Sequence, residues 1–253
     1  MVGVALAAVL LGTIDARGFL SSVAVGVVIV YGGGFSWFIV VAVFFVLGVA
    51  FTLYKYGYKR KLGGAQGKGG ARNWPHILAN GGLASIIAVC NYFAPSAALA
   101  AMFLGAVSTS AADTAATELG LLSHSRPKLI THPSKWVYPG TSGGVSPLGF
   151  AGAAFASLVI GALATPLGIL SDPYLVIPGC LVGGLFGTVV DSLIGAGVQR
   201  KGECVVCLKP TEDLKHCGEP TKAIGGVPYI ENNVVNVLST VAGAAAALAI
   251  LLV

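Results

Sequence analysis

Apolar stretches alternate with short polar segments along the whole chain. Eight of these stretches are candidates for membrane-spanning helices: residues 2–14, 19–31, 35–54, 77–93, 97–117, 145–164, 174–198 and 234–253. The first stretch is shorter than the roughly 20 residues that cross a bilayer as a helix, so the pattern predicts seven or eight spans. Gly32, Gly33 and Gly34 predict a turn between the second and third stretches. We therefore predict an all-α fold, a polytopic transmembrane helical bundle that forms one catalytic domain over residues 1–253.

The positive charges of the chain are confined to a few segments. Only 10% of the residues are charged and the mean hydropathy is +0.85, whereas a soluble domain carries about 25% charged residues. Apart from Arg17, all of the 15 lysines and arginines lie in residues 55–72, 126–135 and 200–222. Basic loops stay on the cytoplasmic side during insertion, so we expect three cytoplasmic loops. The sequence pI of about 9.0 reflects these loops, and nucleic-acid binding is not predicted.

Three carboxylates lie within or at the end of predicted spans. Asp113 and Glu118 lie near the cytoplasmic end of one span, and Asp191 has the same depth in another. Ionisable groups inside a bilayer are costly and mark functional sites. Asp113 and Asp191 are each followed by a hydroxyl residue and later by a glycine, which suggests a short internal repeat. We expect all three carboxylates to be catalytic and to bind Mg²⁺.

Asparagines collect at the same depth as these carboxylates. Asn80 follows the first basic loop, and Asn232, Asn233 and Asn236 begin the last span. Oxygen ligands grouped in this way suit Mg²⁺, which usually shares its coordination with phosphate oxygens. The alternative is that the side chains only form hydrogen bonds between helices.

Two glycine-rich loops on the same side have the composition of anion-binding sites. The first, residues 59–72, combines glycines with Lys61, Lys68 and Arg72, but it lacks the spacing of a Walker A motif. The second, residues 138–146, contains the following candidate phosphate-binding residues: Thr141, Ser142, Gly143, Gly144 and Ser146. Each loop leads into a predicted helix, where exposed backbone N–H groups bind anions. Flexible connection is the alternative role for both.

The third basic loop, residues 200–230, contains a group of metal-ligating side chains. Cys204 and Cys207 form a C-x-x-C pair, and His216 and Cys217 follow. These are the ligand types and the ligand number of a structural zinc site. Cytoplasmic thiols are reduced, which argues against a disulfide. Zn²⁺ is therefore a candidate structural cofactor, and simple packing of the cysteines is the alternative.

A ridge of glycines lies in the span that carries Asp191. Gly179, Gly183 and Gly187 form a G-x-x-x-G-x-x-x-G pattern, which lets helix backbones approach closely. The pattern favours packing between helices of the same chain, and a homodimer is the alternative.

Five ordered motifs resemble the integral-membrane phytyl phosphate kinase family. They are Lys61…Gly70-Ala-Arg72-Asn-Trp…Ala79-Asn80-Gly81, Ala112-Asp113-Thr114…Glu118-Leu-Gly120, Gly140-Thr-Ser-Gly-Gly-Val-Ser146, Gly187…Asp191-Ser192…Gly195-Ala196…Gln199, and Asn232-Asn233…Asn236. They cover the chain from about residue 55 onwards. The resemblance implies an isoprenyl phosphate kinase, which transfers the γ-phosphoryl group of a nucleoside triphosphate to an isoprenyl monophosphate. It implies CTP as the nucleotide, phytyl, geranylgeranyl or farnesyl phosphate as the acceptor, and Gln199 as a further binding residue.

Two other functions remain open at this stage. A CTP-dependent lipid cytidylyltransferase would use similar residues but release pyrophosphate, and a transporter would place its polar residues near the midplane of the membrane. The crowding of polar residues on one side favours an enzyme that is supplied from the cytoplasm and from membrane lipid. No basic segment precedes the first apolar stretch and no plastid transit peptide is recognisable. We therefore expect a prokaryotic cell membrane, with the active site facing the cytoplasm.

Overall fold

The computed structural model describes residues 14–62, 73–208, 210–212 and 214–251, together with residues 9 and 12. These parts contain seven α-helices: α1 (Ala16–Leu53), α2 (Tyr56–Lys61), α3 (Trp74–Phe93), α4 (Ala97–Gly120), α5 (Pro147–Ala164), α6 (Pro173–Gly197) and α7 (Asn232–Leu251). All except α2 are long and apolar enough to cross a membrane. The predicted class, a polytopic bundle of transmembrane helices, is confirmed. The first predicted span, residues 2–14, lies almost wholly outside the described residues.

The long helix α1 folds back on itself at Gly34. A straight helix of 38 residues would be about 57 Å long, nearly twice the roughly 30 Å of the hydrocarbon core. Gly34 interrupts the helix with φ 76° and ψ −175°, a conformation that favours glycine. Because of this break, Ile14 and Phe45 pack in the same apolar cluster. Residues 16–33 and 35–53 are therefore antiparallel, and the turn lies within the predicted run of three glycines.

Helix α4 lies at the centre of the bundle. It contacts α1, α3, α5, α6 and α7, and 15 of its 24 residues are buried. Its sequence is rich in alanine, glycine, serine and threonine, which permit close approach of neighbouring helices. Phe103 of α4 stacks on Trp37 of α1 with the ring centroids 4.0 Å apart. Polar side chains on α4 are consequently surrounded by other helices rather than by lipid.

The glycine ridge of α6 packs within the chain. A Cβ atom at Gly187 would lie 2.2 Å from the Thr109 side chain of α4, and one at Gly183 would lie 2.8 Å from the Gly243 carbonyl oxygen of α7. Thr109 Oγ1 also donates a hydrogen bond to the Gly183 carbonyl oxygen at 3.1 Å. The ridge is thus used for packing between helices of one chain, which the sequence pattern favoured.

The loops between the helices contain short antiparallel strands, which the all-α prediction did not include. They are β1 (Lys128–Leu129), β2 (His132–Trp136), β3 (Gly144–Val145), β4 (Lys201–Glu203), β5 (Pro210–Thr211), β6 (Lys215–His216), β7 (Glu219–Pro220) and β8 (Lys222–Gly225). The sheet orders are β2-β1-β3, β5-β4-β8 and β6-β7. The third basic loop is therefore a folded element rather than a simple connector.

The described polar loops lie at one end of the bundle, which we call the basic end. It comprises the C-terminal ends of α1, α4 and α6, the N-terminal ends of α3 and α7, and the loops 121–146 and 198–231. Thr52 near the end of α1 donates a hydrogen bond to Glu118 near the end of α4 at 2.9 Å. At the opposite end, Asn91 Nδ2 donates to the Gly32 carbonyl oxygen at 2.9 Å. The site residues described below all belong to the basic end.

Candidate active site

Two of the three predicted carboxylates come together between α4 and α6. Asp191 of α6 interacts electrostatically with Asp113 of α4, and the Ser239 hydroxyl of α7 hydrogen-bonds to Asp191. In the amide orientation that satisfies its neighbours, Asn236 Nδ2 lies 3.3 Å from Asp191 Oδ2. Helices α4 and α6 thus place the two carboxylates near enough to interact electrostatically, and α7 supplies hydrogen-bond donors to Asp191.

The predicted asparagines extend this cluster to α3. The Asn236 amide oxygen accepts a hydrogen bond from Asn80 Nδ2 at 3.2 Å, and its nitrogen donates to the Asn232 carbonyl oxygen at 3.2 Å. Asn80 also donates to the His76 carbonyl oxygen at 3.0 Å. Asn80 and Asn236 are both buried. They connect α3 to Asp191 through hydrogen bonds between helices, the alternative role that the sequence analysis left open.

Glu118 is held in a different environment from the two aspartates. Lys59 of α2 forms a buried ion pair with Glu118, and the two side chains are 1% and 9% exposed. Thr52 donates to the other carboxylate oxygen. Lys59 Nζ also donates to the carbonyl oxygens of Phe51, at 2.7 Å, and Thr52, at 2.9 Å. Both oxygens of Glu118 are therefore occupied by protein groups, and its role is to fix α1 and α2 against α4.

The expectation that Asp113, Glu118 and Asp191 form one metal site is corrected by this geometry. Among the described residues, the only group of three or more potential His, Cys, Asp or Glu ligands close enough to share a metal ion is in the third basic loop. Two carboxylates remain at the α4–α6 contact, which still fits Mg²⁺, because that ion is usually bound by one or two carboxylates together with phosphate oxygens and water.

The second glycine-rich loop packs against the end of α6. Gly143 has φ 73°, and a Cβ atom there would lie 2.5 Å from the Ala196 Cβ and 2.6 Å from the Ser192 carbonyl oxygen. Only glycine allows this contact. It holds the neighbouring Ser142 beside the third basic loop, where the Ser142 hydroxyl donates a hydrogen bond to Glu212.

Glu212 is a site residue that the sequence analysis missed. Gln199 Nε2 donates to Glu212 Oε2 at 2.8 Å, and Glu212 also interacts electrostatically with Asp191. Arg200, only 4% exposed, was also missed: its guanidinium donates to the Glu212 carbonyl oxygen at 3.4 Å and to Thr221 Oγ1 at 2.9 Å. The predicted residues Ser142 and Gln199 are thus brought together because both donate hydrogen bonds to Glu212 of the third basic loop.

Other predicted phosphate-binding groups of the second loop have partners within the protein. The Gly144 N–H donates to the Thr141 carbonyl oxygen at 2.9 Å. Ser146 Oγ accepts a hydrogen bond from the Gly149 N–H at 3.1 Å and so caps α5. These contacts shape the loop, and Ser142 remains the member that faces Glu212.

The first basic loop is only partly described. Lys61 ends α2 and is exposed to solvent at the basic end. Lys68 and Arg72 lie outside the described residues. Lys59, two positions before Lys61, is the buried cation of this segment, and the requirement for a positive partner of Glu118 is the signal that could have identified it.

An open groove lies on the surface between α3 and α7. It has a volume of about 370 Å³ and is lined by Trp74, Pro75, Leu78, Ala79, Asn233, Val234 and Val237. Ala79 and Val237 are sequence neighbours of the buried Asn80 and Asn236. Among the predicted site residues, Asn233 is therefore the one that lines an apolar surface beside the polar cluster.

The third basic loop brings its four predicted metal ligands together. The ligand atoms of Cys204, Cys207, His216 and Cys217 all lie within 4.8 Å of one another. A hydrogen bond from the Cys207 backbone N–H is the main cause that lowers the pKa of the Cys204 thiol to about 6. The hydrogen bond between the Cys217 and Cys207 side chains is the main cause that raises the pKa of Cys217 to about 11.

Apolar helices that surround a polar cluster at one end define a polytopic integral membrane protein. The chain belongs to the integral membrane protein family DUF92, whose sequence profile matches residues 1–244. No solved structure matches it.

Relatives of known sequence occur in plants and archaea. Protein PGR of Arabidopsis thaliana is 32% identical over 232 residues, covering 83% of this chain and 79% of the relative. The uncharacterized membrane protein MJ0933 of Methanocaldococcus jannaschii is 30% identical over 189 residues, covering 75% and 76%. The chloroplastic protein VTE6 of Arabidopsis thaliana is 28% identical over 200 residues, covering 77% of this chain and 55% of the relative. The family resemblance inferred from the five motifs is thereby confirmed.

Proposed function

We propose that this protein is a membrane kinase that transfers the γ-phosphoryl group of a nucleoside triphosphate, CTP, to an isoprenyl monophosphate. The observation that carries the proposal is the meeting of Asp113 and Asp191 with buried asparagines at the basic end. The motif resemblance to phytyl phosphate kinases supports the same chemistry. The relatives' names fix neither the acceptor nor the nucleotide, so both belong to the proposal.

The reaction needs charge neutralisation more than proton abstraction. An oxygen of the acceptor monophosphate attacks the γ-phosphorus, a new P–O bond forms, and the bond to the β–γ bridging oxygen breaks. The products are an isoprenyl diphosphate and a nucleoside diphosphate. The attacking oxygen is already anionic at neutral pH, so a strong general base is not required. Positioning and electrostatic stabilisation then supply most of the catalysis.

Asp113 and Asp191 are the residues that would hold Mg²⁺. Two neighbouring carboxylates, with an amide group beside Asp191, are a suitable donor set for this ion. A bound Mg²⁺ supplies charge stabilisation to the phosphate oxygens. Asn236 and Ser239 keep the Asp191 carboxylate oriented, because both form hydrogen bonds with it.

The basic and hydroxyl groups around the aspartates would bind the phosphate groups. Lys61, Lys68 and Arg72 belong to a segment that enters α3 at the basic end, and arginine can hold phosphate oxygens with two hydrogen bonds. Ser142 and Gln199 are positioned by hydrogen bonds to Glu212, which interacts electrostatically with Asp191. We assign the binding of the nucleotide phosphates to these residues together.

The groove between α3 and α7 would hold the isoprenyl tail. Its lining is apolar apart from Asn233, and the half-exposed Leu78 and Val237 face the surface that lipid would cover. A tail in this groove would place its phosphate next to Asn80 and Asn236. The apolar substrate could then enter from the membrane and the nucleotide from the aqueous side. We place the basic end on the cytoplasmic face of a prokaryotic cell membrane, since basic loops are retained there.

A product assay tests this function. Purified protein is incubated with Mg²⁺, CTP and, in turn, phytyl, geranylgeranyl and farnesyl monophosphate, and the products are identified by mass. The proposal requires CDP and an isoprenyl diphosphate in equal amounts. Pyrophosphate and a CDP-lipid would instead establish a lipid cytidylyltransferase, which the same residue types could support. Absence of any product, together with uptake of a polar solute into proteoliposomes, would establish a transporter.

A further inference from the structure

A cluster of three thiols and one imidazole lies in the third basic loop, apart from the aspartates. The distance from His216 Nδ1 to Cys207 Sγ is 3.5 Å, and that to Cys217 Sγ is 3.2 Å. A tetrahedral zinc ion with Zn–S bonds of about 2.3 Å and Zn–N bonds of about 2.0 Å separates its sulfur and nitrogen ligands by about 3.5 Å. The observed spacing is therefore that of ligands around one zinc ion.

The backbone around each half of the cluster is shaped for this arrangement. Cys204 Sγ accepts hydrogen bonds from the backbone N–H groups of Val206, at 3.4 Å, and Cys207, at 3.5 Å. Such bonds stabilise a thiolate, the form of cysteine that binds metal. The C-x-x-C segment is thus a turn that directs its N–H groups towards one sulfur atom.

The second half of the cluster lies on a tight hairpin. Strands β6 and β7 pair His216 with Glu219, and the two residues between them, Cys217 and Gly218, have φ angles of 54° and 89°. Two positive φ angles define a type I′ turn, in which a non-glycine residue such as cysteine is unfavourable. Ligation of a metal by Cys217 would offset this strain. It would also explain why a cysteine occupies a turn position that favours glycine.

A disulfide does not account for the cluster. A disulfide would use two of the three thiols and leave the third, together with the imidazole, without a role. All four ligands come from the protein, so the site would be closed, which is typical of structural rather than catalytic zinc.

We propose that Cys204, Cys207, His216 and Cys217 bind one structural Zn²⁺ ion. The ion would fix the hairpin of β4 and β5, in which Gly202 pairs with Thr211. Glu212 follows directly and reaches Ser142 and Gln199. The metal would therefore set the position of one wall of the candidate active site, without taking part in the reaction.

Metal analysis of the purified full-length protein tests the proposal without any assay of activity. Protein prepared without chelators should contain about one zinc per chain. Cys204→Ser and Cys217→Ser should reduce the zinc content to background, and Cys90→Ser, an exposed cysteine on α3, should leave it unchanged. Folding of each variant is checked by gel filtration in detergent. Folded wild-type protein without zinc, or zinc that remains in a folded Cys204→Ser/Cys217→Ser double variant, would refute the site.

Two further measurements keep the result decisive if a serine variant fails to fold. His216→Cys supplies a fourth thiolate and should retain one zinc per chain. Co²⁺ exchanged into the wild type should give the visible absorption of a tetrahedral thiolate complex, and absence of that spectrum would contradict the proposal. Because none of these readouts involves phosphoryl transfer, failure of the zinc site and failure of the kinase function can be told apart.

Discussion

Lys59 and Glu118 form a buried ion pair that joins two segments 59 residues apart in the sequence. The lysine reaches across from α2 and fills its remaining donor positions with the carbonyl oxygens at the end of α1. Helix α2 is part of the first basic loop, and the proposed phosphate-binding residues Lys61, Lys68 and Arg72 follow Lys59 in the sequence. The ion pair therefore fixes the helical part of that loop against the central helix.

Lys59→Met should destabilise the protein strongly. It leaves the buried Glu118 carboxylate without its cation, and removal of one partner of a buried pair costs about 3–5 kcal/mol. Arg60→Met, the exposed neighbour on α2, is the control and should change stability little. Thermal unfolding in detergent measures both. Equal melting temperatures of the two variants would show that the pair does not anchor α2.

Glu212→Gln should weaken the apparent affinity for Mg²⁺ several-fold. The Glu212 carboxylate interacts electrostatically with Asp191, so its charge adds to the negative potential at the proposed metal site. The amide keeps the size of the side chain and can still accept from Ser142. Titration of activity with Mg²⁺ measures the effect, and Glu219→Gln, an exposed residue of the same loop, is the control. An unchanged Mg²⁺ dependence in Glu212→Gln would remove Glu212 from the site.

Arg72→Ala should raise the KM for the nucleotide or for the acceptor phosphate more than it lowers stability. Arginine can hold phosphate oxygens with two parallel hydrogen bonds, and this residue directly precedes the Asn73 that caps α3. Arg60→Ala removes an exposed charge from the same basic segment and serves as the control. If kcat and both KM values stay at the wild-type level, Arg72 acts only as a positive anchor of membrane topology.

Val237→Trp should lower kcat/KM for the isoprenyl acceptor about tenfold or more, while the KM for CTP changes little. The bulky ring would fill the groove between α3 and α7 that we assign to the tail. Leu158→Trp on α5 is a matched control, since Leu158 and Val237 are 40% and 41% exposed. Steady-state kinetics with a long and a short acceptor measure the difference. Normal turnover of the long acceptor in Val237→Trp would place the tail elsewhere.

Much of the fold follows from short sequence signals. The three-glycine turn predicted the break at Gly34, because a chain of that length cannot cross a bilayer once and glycine tolerates the required φ angle. The depth of Asp191 and Asn236 predicted their meeting, since both lie near the basic end of adjacent helices. The depth of a residue in the membrane can be predicted from the sequence, because it depends only on the number of residues that separate it from the nearest polar loop.

The face of a helix on which a residue lies is harder to predict from the sequence. This explains why Glu118 was wrongly assigned to the same metal site as Asp113. Asp113 and Glu118 have similar depths, but five positions along an α-helix rotate the side chain by about 500°, which leaves the two about 140° apart. Only Asp113 therefore points towards α6. Glu212 was missed for another reason: it follows β5, a strand of only two residues, and the pairing of such a short strand is set by tertiary contacts rather than by local pattern.

The central claim is that Asp113 and Asp191 support transfer of a γ-phosphoryl group to an isoprenyl phosphate. CTP labelled in its γ-phosphate is the most direct probe, used with wild-type protein, Asp113→Asn, Asp191→Asn and the control Asp172→Asn, which alters the cap of α6 at the opposite end of the bundle. We predict label in the isoprenyl diphosphate for the wild type and for Asp172→Asn. Transfer should fall by roughly 10²–10³-fold in each of the other two variants, the usual size of losing one electrostatic contact in a transition state. Label released as pyrophosphate, or near-normal transfer by folded Asp113→Asn and Asp191→Asn, would contradict the account.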